Sequence, residues 1–277
     1  MSDEATRISA CLMVKNEEAV IRACLDSLQG VVDEIIVVDG QSTDRTVEIC
    51  REFRARVEIR PFPGHVEQRT YSVSLASCPW VFCIDADERV TGELAREILS
   101  AVREAEDGVD GFSVPRLTVH LGRPVRHGGW YPDRKLRLAR ASRVRVAGTT
   151  PHDRLEVDGA VEKLGAPLLH LSYRDLSHHV QVIDRYTTVM ARKRKECGRG
   201  PSLVRLVFSF PLKFLKMYVW KGGFLEGVRG FVVAVTGAFY AFLVQAKQWE
   251  EEVLQRDVEE KHRRGDSPFP GDRGPGR

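Results

Sequence analysis

The chain reads as an α/β protein built on an open, mostly parallel sheet with helices on both faces, followed by a basic, aromatic-rich helical region. Three observations carry that reading. Short apolar runs alternate with amphipathic stretches over the first third, which specifies a parallel sheet covered on both sides. Each of the strongest runs ends in acidic or turn-forming residues. The last third loses the alternation and gains Lys, Arg and Phe. Its 277 residues, 43% hydrophobic and 29% charged, can bury a sizeable core and exclude a disordered or fibrous chain.

Ile8 to Val14 (ISACLMV) is a buried strand, and apolar residues at Ala19, Val20, Ala23, Cys24 and Leu28 predict a helix over 16–28. Glu34 to Val38 (EIIVV) is a β-branched strand closed by Asp39-Gly40, and Thr43 to Phe53 returns to helical spacing. Val57 to Arg60 is a short strand, Gln68 to Ala76 a helix, and Trp80 to Ile84 (WVFCI) a strand stopped by Asp85. Glu93 to Val102 is helical. Beyond it, Gly111 to Val114, Leu117 to Leu121 and Arg137-Leu138 read as separate strand pieces among loops. From about His178 the pattern is helical. The expected organisation is a sheet domain over 1–175, a helical region over 176–254, and a disordered tail over 255–277 whose charged, Gly/Pro-rich end cannot bury enough to order itself.

Net charge is +3, from 42 basic and 39 acidic residues, which argues against a nucleic-acid partner for the whole molecule. The charge is unevenly spread: from Arg174 to Arg229 twelve Lys/Arg face only Asp175, Asp184, Glu196 and Glu226, a local excess of +8. Phe231 to Val244 is a fourteen-residue run without charge, short of the roughly 20 residues of a bilayer span. Leu206 to Trp220 mixes five aromatic residues with Lys213 and Lys216. Two readings stay open: a helical subdomain packed internally, or helices lying in a membrane interface whose basic residues attract anionic head groups. The six cysteines form no CxxC pair, and with the polar start MSDEATR they suggest a reduced, cytoplasmic protein. His178-His179 lacks metal-ligand spacing and reads as a solvated helix start.

Ligands of open α/β sheets bind beyond the carboxyl ends of the strands. Asp39 with Gly40-Gln41-Ser42-Thr43-Asp44, Asp85-Ala86-Asp87 and Glu17-Glu18 all fall there. Two carboxylates one residue apart repel unless a cation or a proton relieves them, and hard oxygen ligands suit Mg²⁺ or Mn²⁺, which also binds diphosphate oxygens. Arg69 lies on the intervening helix.

The segments KNEE (15–18), EIIVVDGQSTDRT (34–46), Gln68-Arg69 and WVFCIDADER (80–89) resemble, in order and spacing, family 2 glycosyltransferases of GT-A fold. GGWYPDRKLRLAR (128–140) and TPHDRLEV (150–157) look like the branch that contains lipopolysaccharide core β-glucosyltransferases. The resemblance implies that Asp39 holds the nucleotide base beside Val14, Lys15 and Glu17, and that Arg69 approaches the diphosphate. It implies Asp85 at the ribose or a metal-bound water, Asp87 as a ligand of a divalent metal (Mn²⁺ or Mg²⁺), and His152 supporting the metal. Asp153 stands where Glu is usual, an arm one methylene shorter, and is the implied base for the acceptor hydroxyl. Trp130 and Tyr131 are candidates for stacking on the acceptor sugar. The implied reaction is inverting transfer of a hexose, glucose first, from a UDP-sugar to a lipid-linked saccharide at the inner face of the cytoplasmic membrane. Alternatives within the same fold are glycosylation of polyprenyl phosphate or of a peptide, or a non-catalytic nucleotide-sugar-binding membrane scaffold. The sequence lacks the Q-x-x-R-W box of processive synthases.

Overall fold

The computed structural model describes the backbone of residues 3–149 and 152–264, which form two compact units. Of the described residues, the first comprises 3–126, 130–149 and 152–172, the second 127–129 and 173–264.

In the first unit, β1 (Ile8–Val14), β2 (Glu34–Asp39), β3 (Arg56–Ile59) and β4 (Trp80–Cys83) form the parallel half of a sheet. β1 and β4 lie at its centre, where near-continuous apolar sequence is required because both faces are covered. Ile8, Leu12, Phe82 and Trp80 are accordingly sealed in the core with Ile21, Leu25 and Leu28 of α1 (Ile21–Leu28) and with Leu94 and Ile98 of a later helix. The remaining helices of this half are α2 (Thr46–Glu52), α3 (His65–Ser74) and α4 (Gly92–Glu104). α4 is capped by Thr91, whose hydroxyl accepts the Leu94 N–H. The order continues through β8 (Asp133–Arg140), β6 (Val109–His120), β12 (Leu168–His170) and β5 (Glu88–Val90), giving β3-β2-β1-β4-β8-β6-β12-β5. β7 (Arg123–Pro124) and β11 (Ala160–Lys163) pair with β6, and β9 (Arg145–Thr149) with β10 (His152–Glu156) forms a separate hairpin.

Two sequence expectations change here. α1 and α2 begin later than predicted because residues 16–20 and 40–45 form interlocked turns: Thr43 N–H donates to Asn16 Oδ1 at 2.8 Å, and Asn16 N–H to Ser42 Oγ at 2.8 Å. The two strand pieces at 111–114 and 117–121 are one strand, β6, which Pro115 does not interrupt.

The second unit is helical: α5 (Leu176–Glu196), α6 (Leu203–Leu215), a π-helical turn over Lys216–Trp220, a 3₁₀ turn over Gly223–Glu226, and α7 (Val228–Arg264). The Asp175 side chain caps α5 by accepting the His178 N–H at 2.7 Å. His179 is buried against the Tyr173 ring, 3.9 Å between centroids, which corrects the expectation of a solvated His pair. The second half of α7 docks on α5, with Lys247 Nζ bonded to the Asp184 carbonyl and carboxylate and to Thr188 Oγ1 at 2.6–2.7 Å. α7 runs to Arg264, so residues 255–264 are helix where a tail was expected; their Glu, Lys and Arg are good helix formers. The rest of that predicted tail, 265–277, lies outside the described residues. The charge-free run of fourteen residues is likewise part of something longer: Val228–Arg256 is long and apolar enough to cross a membrane by length and composition. All six cysteines are free, five of them buried, and burial pushes the Cys50 thiol up to about 12.

Candidate active site

The carboxyl ends of β1, β2 and β4 carry the groups singled out in the sequence. After β1, Asn16 takes a left-handed conformation (φ 56°) and the Glu17 N–H donates to Thr46 Oγ1 at 2.7 Å. Lys15 remains exposed, and Val14 is buried with its carbonyl accepting the Gly40 N–H at 2.8 Å. Asp39 is fully buried; one carboxylate oxygen accepts the Ser42 N–H at 2.8 Å and the other the Ser42 hydroxyl. Asp39 thus shapes the 40–45 turn and is sealed from solvent.

Asp85 and Asp87 are equally exposed, a third of each side chain, but differ in their partners. Asp85 Oδ1 accepts Arg69 Nη2 at 2.6 Å, and Oδ2 accepts Arg137 Nη2 at 2.7 Å. Burial would raise the Asp85 carboxyl, but Arg137 and Arg69 outweigh it and hold it well below the usual range. The relief of the Asp85–Asp87 repulsion therefore comes in part from two guanidinium groups, Arg69 and Arg137. Arg137 Nη2 also bonds Glu88 Oε1, whose other oxygen accepts the Asp85 N–H at 3.0 Å. Glu88 has no exposed surface, and burial leaves its carboxyl raised despite Arg137. Arg69 spans to a second carboxylate through Nε, 2.9 Å from Asp153 Oδ2. Its Nη1 is buried with no hydrogen-bond partner among the described residues, an unspent donor at the site. Asp153 Oδ1 also lies 3.9 Å from His65 Nδ1.

Asp87 remains a third exposed, and its Oδ2 lies 3.1 Å from His170 Nε2. β12 pairs antiparallel with β5 so that His170 stands opposite Glu88, and the Leu171 N–H donates to the Asp87 carbonyl at 2.8 Å. Ser172 Oγ, 2.6 Å from His170 Nδ1, orients the ring. A carboxylate and an imidazole at this separation, one of them solvent-accessible, form a two-donor set of the kind Mn²⁺ or Mg²⁺ completes with diphosphate and water oxygens. No group of three or more His, Cys, Asp or Glu suited to a metal occurs among the described residues, so a metal here would depend on the substrate for its remaining ligands.

Three residues of the site are not singled out by sequence pattern. His170 escapes because strand pairing, not sequence proximity, brings it to Asp87. Arg137 reads only as part of a strand, although a lone Arg in the apolar run Leu136 to Ala139 signals a buried partner. Glu88 reads only as the neighbour of the DAD motif. Of the other predicted positions, Trp130 packs edge-on to His120 and Tyr131 lies under Arg126, 5.6 Å from the ring centroid. The His152 side chain lies outside the described residues.

The carboxyl edge of the open α/β sheet thus holds a carboxylate–guanidinium cluster beside a carboxylate–imidazole pair. The chain belongs to glycosyl transferase family 2, whose family model matches residues 9–163. It is 32% identical over 256 residues to the lipopolysaccharide core biosynthesis glycosyltransferase LpsC of Rhizobium meliloti (strain 1021), covering 90% of this chain and 94% of that protein. It is 30% identical to the uncharacterized glycosyltransferase RT0209 of Rickettsia typhi, covering 91% and 90%. Among solved structures, S. aureus TarS with UDP-GlcNAc matches at 16% identity and a TM-score of 0.46, over 94% of this chain and 92% of that one. Glucosyl-3-phosphoglycerate synthase from Mycobacterium tuberculosis, with Mn²⁺ and UDP-glucose, matches at 27% identity and a TM-score of 0.35, over 42% and 46%.

Proposed function

We propose that this family 2 glycosyltransferase moves a hexose, glucose first among the candidates, from a UDP-sugar to a lipid-linked saccharide such as the lipopolysaccharide inner core, with inversion at the anomeric carbon. The Asp87–His170 pair, 3.1 Å apart at the edge that also holds Arg69, is the observation that carries this reading. The similarity to a lipopolysaccharide core glycosyltransferase over nine-tenths of the chain supports the acceptor class. The enzyme would work as a peripheral protein on the inner face of the cytoplasmic membrane.

In this reading Asp87 and His170 would hold a divalent metal, which supplies charge neutralisation for the departing diphosphate. The buried Nη1 of Arg69 would donate to a diphosphate oxygen once the donor enters. The turns at 14–17 and 39–46 would line the nucleotide. The Asp153 carboxylate would accept the proton of the acceptor hydroxyl as that oxygen bonds the anomeric carbon and the bond to diphosphate oxygen breaks. Arg69 ties Asp153 to Asp85 in the resting site, so diphosphate binding at Arg69 and exposure of the base would be coupled steps. Trp130 and Tyr131 would flank the acceptor sugar.

The test is mass analysis of products after incubating the protein with UDP-glucose, Mn²⁺ and core saccharide on lipid A. The expected product gains one hexose in β linkage, and Asp153→Asn slows its formation about 100-fold or more, the usual range for a lost general base. A product on polyprenyl phosphate or peptide alone, or no turnover of any UDP-sugar, would overturn the proposal.

A further inference from the structure

α6 has no buried residue at all, an unusual state for a helix whose sequence, LVRLVFSFPLKFL, is mostly apolar. Val204, Val207, Phe208 and Leu212 are each more than half exposed. The surface continues through the two short turns to Trp220 (88% exposed), Phe224 and Val228 (81%) at the start of α7. Between α6 and α7 runs a groove of about 650 Å³ lined by Leu206, Val207, Phe210, Pro211, Phe239 and Phe242. Apolar surface of this extent on one hairpin marks an interaction site.

Its charge identifies the occupant. Over residues 203–231 the hairpin carries Arg205, Lys213, Lys216, Lys221 and Arg229 against one acidic residue, Glu226, and Glu226 is engaged by the His127 backbone and ring at 2.9 Å. A second copy docking the same face would set cations against cations. An anionic lipid surface complements both features, since the acyl chains take the aromatic and aliphatic residues and the head groups take the lysines and arginines.

The turn region of the hairpin is closely packed. Gly222 and Gly227 take positive φ on either side of the 3₁₀ turn, and Gly230 packs so closely on the Gly223 carbonyl that any side chain there would collide with it. The wedge is therefore held in shape before it meets a partner.

α7 is the wrong element to cross the bilayer, although its composition passes. Its charge-poor part, Val228 to Val244, spans about 25 Å as helix, so a crossing of the roughly 30 Å hydrocarbon core would have to take in the residues that follow. Beyond it Gln245 and Gln248 are buried within the unit, and Lys247 is bonded to Asp184 and Thr188 of α5. A spanning α7 would break those contacts and drag a lysine into hydrocarbon.

We infer that the α6–α7 hairpin is a one-leaflet membrane wedge: Trp220, Phe224, Val228 and the outer face of α6 enter the acyl region of an anionic leaflet, and α7 returns without crossing. The inference extends the lipid-linked acceptor reading above by naming the element and the depth of contact, and it stands on the hairpin alone.

The full-length protein, carrying Cys197→Ser to remove its exposed thiol, is mixed with vesicles of phosphatidylcholine containing phosphatidylglycerol and with vesicles of phosphatidylcholine alone. Sedimentation with the anionic vesicles is expected, with salt weakening but not abolishing it. W220E is expected to bind about tenfold more weakly. A Glu250→Cys reporter on α7 is expected to react with an impermeant maleimide added outside the vesicles, as it does in solution. Protection of that reporter thiol by the vesicles would show a spanning α7 and overturn the inference. So would complete release by salt, or no vesicle binding together with a dimer that W220E dissolves. UDP binding in free solution is measured in parallel and is expected to be unaltered by W220E. Its loss in the parent protein would count against the proposed function and leave the wedge intact.

Discussion

The carboxyl edge of the sheet and the α6–α7 hairpin depart from ordinary protein polarity in opposite directions. At the sheet edge, Arg69, Arg137 and Glu88 are taken out of water, where each charge is costly unless paired. At the hairpin, Trp220 and Val228 are left in water, where their burial elsewhere would have been favourable. The first departure is compensated inside the chain by a closed set of ion pairs with Asp85 and Asp153. The second has no compensation among the described residues of its own unit. In the proposed reading the ionic cluster, with one donor unspent, takes a small charged ligand, and the uncompensated apolar face takes a large partner.

The sharpest way to break that comparison is Arg137→Met. Removing the guanidinium leaves Glu88 buried with its main cationic partner gone, and breaking a buried pair costs about 3–5 kcal/mol. Urea denaturation should show a loss of that size. A loss under about 1 kcal/mol would mean the cluster is more hydrated than its burial states.

A smaller effect comes with pH. The Asp85 carboxyl is held below its usual value, so its contribution is full above the usual aspartate range and is lost as pH falls through the lowered folded value. Glu88, raised in the fold, has the opposite sign and contributes most at low pH. Asp85→Asn should therefore flatten the acid limb of stability below about pH 4 while lowering stability near neutrality. An unaltered acid limb in Asp85→Asn would remove Asp85 from the account. Smallest of all, W220E should leave urea stability within about 0.5 kcal/mol, because the indole is already exposed. That result would set the hairpin apart from the cluster, where any polar change is felt.

The parallel half of the sheet is plain in the sequence because β1, β2 and β4 are apolar runs with definite stops, and burial on both faces demands that pattern. Asp87 and Arg69 are legible as candidates because Asp87 follows the carboxyl end of an apolar strand and Arg69 is a charged residue on the preceding helix. What stays hidden is set by long-range pairing. His170 reaches Asp87 only because β12 registers against β5, and Arg137 reaches Asp85 only because β8 pairs with β4. The turn that Ser42 builds on both Asp39 oxygens is hidden in the same way, since no sequence pattern shows that pairing. The length of α7 is underread from sequence because its charged second half has helix propensity without apolar periodicity.

The central claim is that Asp87 and His170 together bind a divalent metal that brings the nucleotide diphosphate to this edge. Calorimetric titration of UDP into the protein with and without Mn²⁺, repeated for Asp87→Ala and His170→Ala, tests it directly. The account predicts Mn²⁺-dependent binding that weakens by about 30-fold or more in each variant, the size expected for a lost metal ligand or its loss of metal affinity, with thermal stability of the free protein little changed. Equal UDP affinity in all three proteins, or binding indifferent to Mn²⁺, would contradict it.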